Sequence, residues 1–365
     1  MQGIVSTLLC VLVHAFGQSE IRSCNEHNLE SRCLESRTSA IAESYFAVQS
    51  SKKCCWEYTW QKSASCVQVA LNASVTIQSR PPPFLVVHGH NDRTVLPNQA
   101  RWLVGALKKN GGKVDQVWHN SGHGGVELQH AKAFLDQFCS AMPPLNNQST
   151  LNASNHRKPA CVESYNVNLE PRRIDRATFQ GHPIPMFHFY DAPHRALEPP
   201  LLVWIHGGGW LGGSPDEMHN DHHWQMRMVR FGWAVASLGY RHSNEAKWPA
   251  QVLDVSAALA HLCKDTSKYR FDRNRVVAVG FSSGGHLASM LGTRSFQGKR
   301  LVHGVVSFSG PTQLLTMDYD THLHVKSELA HFAQNGVESK LIGCTLSDFI
   351  SKFVYLPKEH HLDHA

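Results

Sequence analysis

The run Gly280-Phe281-Ser282-Ser283-Gly284-Gly285 constrains this chain more than any other segment. It follows Val276 to Val279, an apolar stretch that reads as a buried strand, and precedes His286 to Leu291, a helix-compatible run. A serine on so sharp a strand-to-helix turn needs small neighbours on both sides, and Gly280 and Gly284 supply them. The first amides of the helix then point at the serine and favour negative charge developing there. Ser282 is therefore expected to be a nucleophile, set in a sheet of parallel α/β type.

A second motif stands upstream. Leu201 to Ile205 is another apolar strand, and His206-Gly207-Gly208-Gly209-Trp210 follows it directly. Three glycines let backbone N–H groups come close to a substrate oxygen, as an oxyanion hole requires. A flexible glycine loop and a phosphate loop are the rival readings, but the segment has neither a Lys-Ser/Thr ending nor GxGxxG. The amides of Gly207, Gly208 and Ser283 are expected to form the hole. Trp210 is expected either to line the substrate pocket or to anchor the loop in the core.

A serine hydroxyl attacks only when a base takes its proton, and the base needs a carboxylate to fix its tautomer. After Ser282 the nominal partners are Asp318 or Asp320 with His360 or His361, yet no Gly-flanked histidine loop follows a strand there. Earlier in the chain the pattern is better. PPFLVVHGHNDRTVLP puts Asp92 on a loop after the strand Phe84 to Val87, and NSGHGG puts His123 on a Gly-flanked loop after the strand Val114 to Trp118. A helix is expected from Asn98 to Asn110 between them, stopping at Gly111-Gly112, and another from Val126 to Cys139 behind them. Acid and base would then hang over one edge of a sheet. Taken singly, Asp92 is also readable as a turn aspartate and His123 as a loop histidine.

Further strands are expected near Tyr165 to Leu169, Ile184 to Tyr190, Ala234 to Leu238 and Val302 to Phe308, with a helix from Pro249 to Cys263. The mixture implies a doubly wound, mostly parallel sheet with helices on both faces.

From about Asn168 to Leu356, HGGGW, YRHSNEAKWPAQVLDV and GFSSGGHLA resemble the front two thirds of an esterase/lipase of the α/β-hydrolase superfamily, close to acetyl- and feruloyl-esterase-like carboxylesterases. From about Pro81 to Met142, HGHNDRTVLP and GHGG resemble the missing last third, in a form also seen in prolyl-oligopeptidase-like enzymes. The resemblance implies an α/β-hydrolase fold, a serine esterase acting on short acyl esters, Ser282 as nucleophile, His123 as base, Asp92 as its orienting acid, and no cofactor. It implies too that Asp254, in a Gln-x-x-Asp pattern, is structural. The swapped order leaves three accounts: a circular permutant, a fusion of fragments, or a mis-assembled gene model, of which the permutant is favoured because domain termini lie on the surface and often close together.

Residues 1–18 read as a signal peptide, 19–80 as a Cys-rich leader, 81–142 as the hydrolase segment with Asp92 and His123, 143–160 as a linker, and 161–365 as the segment with the oxyanion loop and nucleophile. Five of the 10 cysteines crowd between Cys24 and Cys66, which with sequons at Asn72, Asn147 and Asn152 suggests disulfides, glycosylation and secretion. A formal charge of +6 spread among acidic residues gives no basic face, so nucleic acid is not an expected partner. Nor is a membrane once the signal is removed, and the oligomeric state is left open. The cluster His219, His222 and His223 reads as a solvated loop rather than a metal site, and no metal is expected. Two rival functions stand beside the esterase. One is a prolyl-oligopeptidase-like peptidase with the same three side chains, and the other is a catalytically dead binding protein on a hydrolase scaffold.

Overall fold

The computed structural model describes residues 80–139, 198–218, 224–295 except 266, 299–314 and 336–343, with shorter pieces between 172 and 192 and a few isolated positions. The expected signal peptide, Cys-rich leader, linker, sequons, strand Tyr165 to Leu169 and the His219, His222 and His223 cluster lie outside the described residues, as do Asp318, His360 and His361.

Ten strands matter here: β1 (Phe84–Gly89), β2 (Val114–His119), β3 (Arg172–Ile174), β4 (Ala177–Phe179), β5 (His182–Ile184), β6 (Phe187–Tyr190), β7 (Leu201–Ile205), β8 (Ala234–Leu238), β9 (Val276–Phe281) and β10 (Gly304–Phe308). Eight form one sheet in the order β2-β1-β10-β9-β7-β8-β6-β3. The six from β2 to β8 are parallel, while β6 runs antiparallel to β8, and β3 antiparallel to β6. β4 and β5 make a separate hairpin. The stretch expected as one strand from Ile184 to Tyr190 is thus two, broken at Pro185, whose missing N–H cannot join a ladder.

Central parallel strands are covered on both faces, so they are apolar without interruption. Phe84, Val86, Leu201, Val203, Ile205, Val276, Ala278 and Val305 point into one core layer, and their neighbours Leu85, Val87, Leu202, Trp204, Val277, Val279 and Val306 point into the other. The first layer is closed by α1 (Asn98–Lys109), α4 (Ala250–Lys264) and α5 (Ser283–Thr293), the second by α2 (Leu128–Asp136) and α3 (Trp224–Arg230). A short α6 (Val337–Ile342) follows. β2, at the sheet edge, exposes Asp115 and Gln116.

The chain leaves β7 for its neighbour β8, then crosses back to β9 and proceeds to β10 on the other side. Between β7 and β9 the winding therefore reverses, which opens a crevice at the carboxyl ends of the strands. β1 docks on β10 in parallel register, Phe84 opposite Val305 and Val87 opposite Phe308, so the early segment extends the same sheet and aims its loops at the same edge.

Candidate active site

Ser282 stands between β9 and α5 with φ 53° and ψ −122°, a backbone conformation that a side-chain-bearing residue adopts at a cost of about 1–3 kcal/mol. Neighbouring structure holds it there: its N–H donates to the Phe308 carbonyl at 2.9 Å and its own carbonyl accepts the His286 N–H at 3.0 Å. The turn closes because both flanking glycines lack a side chain. A methyl on Gly280 would strike the Gly284 carbonyl, and one on Gly284 would strike the carbonyls of Ile205 and His206.

The end of β7 brings the glycine loop alongside. Gly207 lies against Phe281 and the Ser282 Cβ. Among the described residues none accepts a backbone hydrogen bond from the amides of Gly207, Gly208 or Ser283, which leaves these donors available to an oxygen near Ser282. The loop is braced from behind by Tyr240, whose hydroxyl is 3.2 Å from the carbonyls of His206 and Gly207 and 3.2 Å from Ser283 Oγ. Burial pushes its phenol well above the ordinary value, so it stays protonated and donates. His206 stacks on the Tyr240 ring with 4.4 Å between centroids, and its Nδ1–H donates to the Gly207 carbonyl at 2.8 Å. Burial holds His206 at about 4, hence neutral at pH 7.

Asp92 and His123 reach the same place from β1 and β2. Asp92 is 2% exposed, and its Oδ1 accepts the N–H groups of Thr94 at 3.0 Å and Val95 at 2.9 Å, an Asx-type turn that fixes the carboxylate plane. Its Oδ2 accepts His123 Nδ1–H at 2.8 Å. Burial alone would raise the Asp92 carboxyl, but the hydrogen bond and charge of His123, with help from His88 and the Val95 amide, bring it below the usual aspartate value. With its Nδ1 proton engaged, His123 turns the lone pair of Nε2 to Ser282 Oγ, 3.0 Å away, so the serine hydroxyl is the donor. Phe281 packs on the imidazole, 4.9 Å between ring centroids. Three side chains expected to act together thus form one hydrogen-bonded line, Ser282 to His123 to Asp92, across 159 and 31 residues of sequence.

Two further expectations concern neighbours of this line. Trp210 does not line an open pocket: its indole is 1% exposed, faces the His286 ring edge-on at 5.4 Å and lies in the core, so the anchoring alternative describes it. Asp254 is structural, as expected, gripping the Arg241 guanidinium at 2.8 and 2.7 Å and the Arg241 backbone N–H at 2.9 Å. His88, Tyr240 and His206 were not singled out as supports by sequence reasoning. The available signal was a polar side chain at the end of each buried apolar strand.

Residues 188–352 match the BD-FAE family and residues 33–140 match the Prolyl oligopeptidase family. The chain has the α/β-hydrolase fold. Among the relatives of this α/β-hydrolase, Esterase LipC of Mycobacterium tuberculosis is 33% identical over 26% of this chain and 23% of its own length, and Ethyl acetate hydrolase of Pseudomonas putida is 29% identical over 39% and 42%. The chain therefore spans less than half the length of these curated relatives. A solved hyperthermophilic esterase from Pyrobaculum calidifontis is 32% identical, covering 33% of this chain and 37% of its own, with a TM-score of 0.29. At that score the α/β-hydrolase assignment rests on the sheet and the family matches instead.

Proposed function

We propose that this α/β-hydrolase is a serine carboxylesterase that cleaves short acyl esters through an acyl-enzyme. The observation that carries the proposal is the position of His123, with one ring nitrogen on Ser282 Oγ and the other on buried Asp92. As Ser282 Oγ attacks the ester carbonyl, its proton passes to His123 Nε2, and Asp92 stabilises the imidazolium that forms. The carbonyl oxygen gains negative charge beside the amides of Gly207, Gly208 and Ser283. His123 then returns the proton to the departing alcohol as the C–O bond breaks. Water, deprotonated by the same nitrogen, attacks the acyl-enzyme and releases the acid and free Ser282.

We further read the strand order as a circular permutation, in which 81–142 supplies what the segment from 161 onward lacks, and the chain as secreted. What supports secretion is the cysteine density between Cys24 and Cys66 together with the sequons at Asn72, Asn147 and Asn152. The Prolyl oligopeptidase match over residues 33–140 keeps a peptidase as the second reading.

The test is hydrolysis of p-nitrophenyl acetate, p-nitrophenyl butyrate and a prolyl p-nitroanilide by the purified chain beside Ser282→Ala, His123→Ala and Asp92→Asn. Ester turnover that each substitution lowers by roughly 10³-fold or more supports the esterase. Turnover of the anilide alone would favour the peptidase, and folded wild type inactive on all three would sink both.

A further inference from the structure

His88 ends β1 inside a run of apolar residues, and its side chain is 1% exposed. Its Nε2 lies 2.8 Å from the Val95 carbonyl, an oxygen that only accepts, so Nε2 carries the proton. The same N–H lies 3.4 Å from Asp92 Oδ2, the oxygen that receives His123. Val95 is thereby held twice, by its N–H on Asp92 Oδ1 and by its carbonyl on His88. Among the described residues the buried His88 Nδ1 has no hydrogen-bond partner, so a second proton would find no acceptor there. Five charged or titratable groups surround this arrangement: Asp92 and His123 at the site, His119 on β2, and Arg101 on α1 and His90, both of which lie against the Trp118 ring on which His88 packs.

From this geometry we infer that His88 is a positioning residue for the proposed catalytic line. It is an N–H donor, neutral at pH 7, that clamps the Asp92 loop through Val95 and withdraws part of the carboxylate's charge from His123. The inference rests on the assignment of Ser282, His123 and Asp92 given above. Burial holds His88 at about 4, which keeps the donor neutral at pH 7. A hydrophobic residue of similar size at this place would pack as well but donate nothing. Asp92 would then offer more of its charge to His123, the imidazolium would be favoured, and the loop would lose its brace.

The comparison is between wild type, His88→Leu, His88→Gln and His88→Asn in the full chain. Glutamine can place an amide N–H near the position of Nε2; asparagine is too short. The His123 ring is titrated by NMR, and kcat and KM are measured with p-nitrophenyl acetate. We expect His88→Leu to raise the pH of half-protonation of His123 and to lower kcat about tenfold with little change in KM, the effect of roughly one hydrogen bond. His88→Gln should recover most of both and His88→Asn neither. Equal behaviour of the glutamine and asparagine variants, or an unshifted His123 in the leucine variant, would overturn the inference. If leucine prevents folding, the glutamine–asparagine pair decides alone. The NMR titration needs no turnover, so a wild type without Ser282-dependent activity would remove the esterase reading while still testing His88.

Discussion

Gln99 and Thr312, 213 residues apart, hold each other by reciprocal bonds: Gln99 Oε1 accepts the Thr312 N–H at 2.9 Å, and Thr312 Oγ1–H donates to the Gln99 carbonyl at 2.6 Å. Gln99 Oε1 also accepts the Gln313 N–H at 2.7 Å. Both Gln99 and Thr312 are fully buried, so this contact pins α1 of the early segment to the turn that leaves β10 of the late one. It is a polar seam between two stretches that sequence alone presents as separate.

Removing the Gln99 side chain takes the Oε1 acceptor away from the Thr312 and Gln313 amides. Gln99→Ala should therefore destabilise the fold by about 2–3 kcal/mol, the cost of stranded buried donors. Urea unfolding measures this directly. A stability within about 0.5 kcal/mol of wild type would mean water or a shifted carbonyl replaces the amide and the seam is dispensable.

The elbow makes a sharper demand. Because a methyl at position 284 would meet two carbonyls of the β7 end, Gly284→Ala must push the oxyanion loop away from Ser282 or fail to fold. Ester turnover should fall by more than about 10²-fold. Near-normal kcat in this variant would show that the loop can retreat without cost and that the amides of Gly207 and Gly208 do not act from their present places.

Much of this site was legible because each functional side chain follows a buried parallel strand: Asp92 after β1, His123 after β2, the glycine loop after β7 and Ser282 after β9. Apolar runs mark such strands, and their carboxyl ends mark the edge. Less legible were the elements that tertiary packing decides. Trp224–Arg230 forms α3 although seven residues carry little periodic signal, and its buried Trp224, Met228 and Val229 are recognisable only once the second face of the sheet needs cover. The Gln99 seam and the His88–Val95 clamp join residues through space, and no local pattern encodes them. Trp210 shows the limit of local pattern: an aromatic residue beside an oxyanion loop reads equally as a substrate contact or an anchor, and only the packing shows its indole in the core under the loop.

Acid should weaken the fold before it reaches the carboxylates. His88 and His206 are both held at about 4 by burial, against an ordinary 6.5. Between those values the unfolded chain binds the protons and the native chain does not, so stability is full above about pH 6.5 and falls as pH drops toward 4. Each histidine accounts for about 3 kcal/mol over that interval, as an order of magnitude. Asp92 adds a later loss, because its lowered carboxyl contributes stability above the ordinary aspartate value that disappears only as pH falls through the folded one. Urea midpoints at pH 7, 6 and 5 should decline in step. A flat profile would contradict the neutral burial of both rings.

If the early segment does no more than supply two strands, two loops and their helices, its place in the sequence should be immaterial. A chain rebuilt with residues 161–365 first and 81–142 last, joined by a flexible linker of about 20 residues, tests this. The parallel register of β1 on β10, the Gln99–Thr312 seam and the His123–Ser282 hydrogen bond all lie within those two pieces and make no use of residues 143–160. The rebuilt chain should keep its ester turnover within about tenfold of the natural order, since the covalent connection changes loop-closure entropy by only about 1 kcal/mol. Loss of both fold and turnover would mean that residues outside these two segments hold β1 against β10. Loss of turnover with the fold intact would mean that the connection itself sets the 3.0 Å approach of His123 to Ser282.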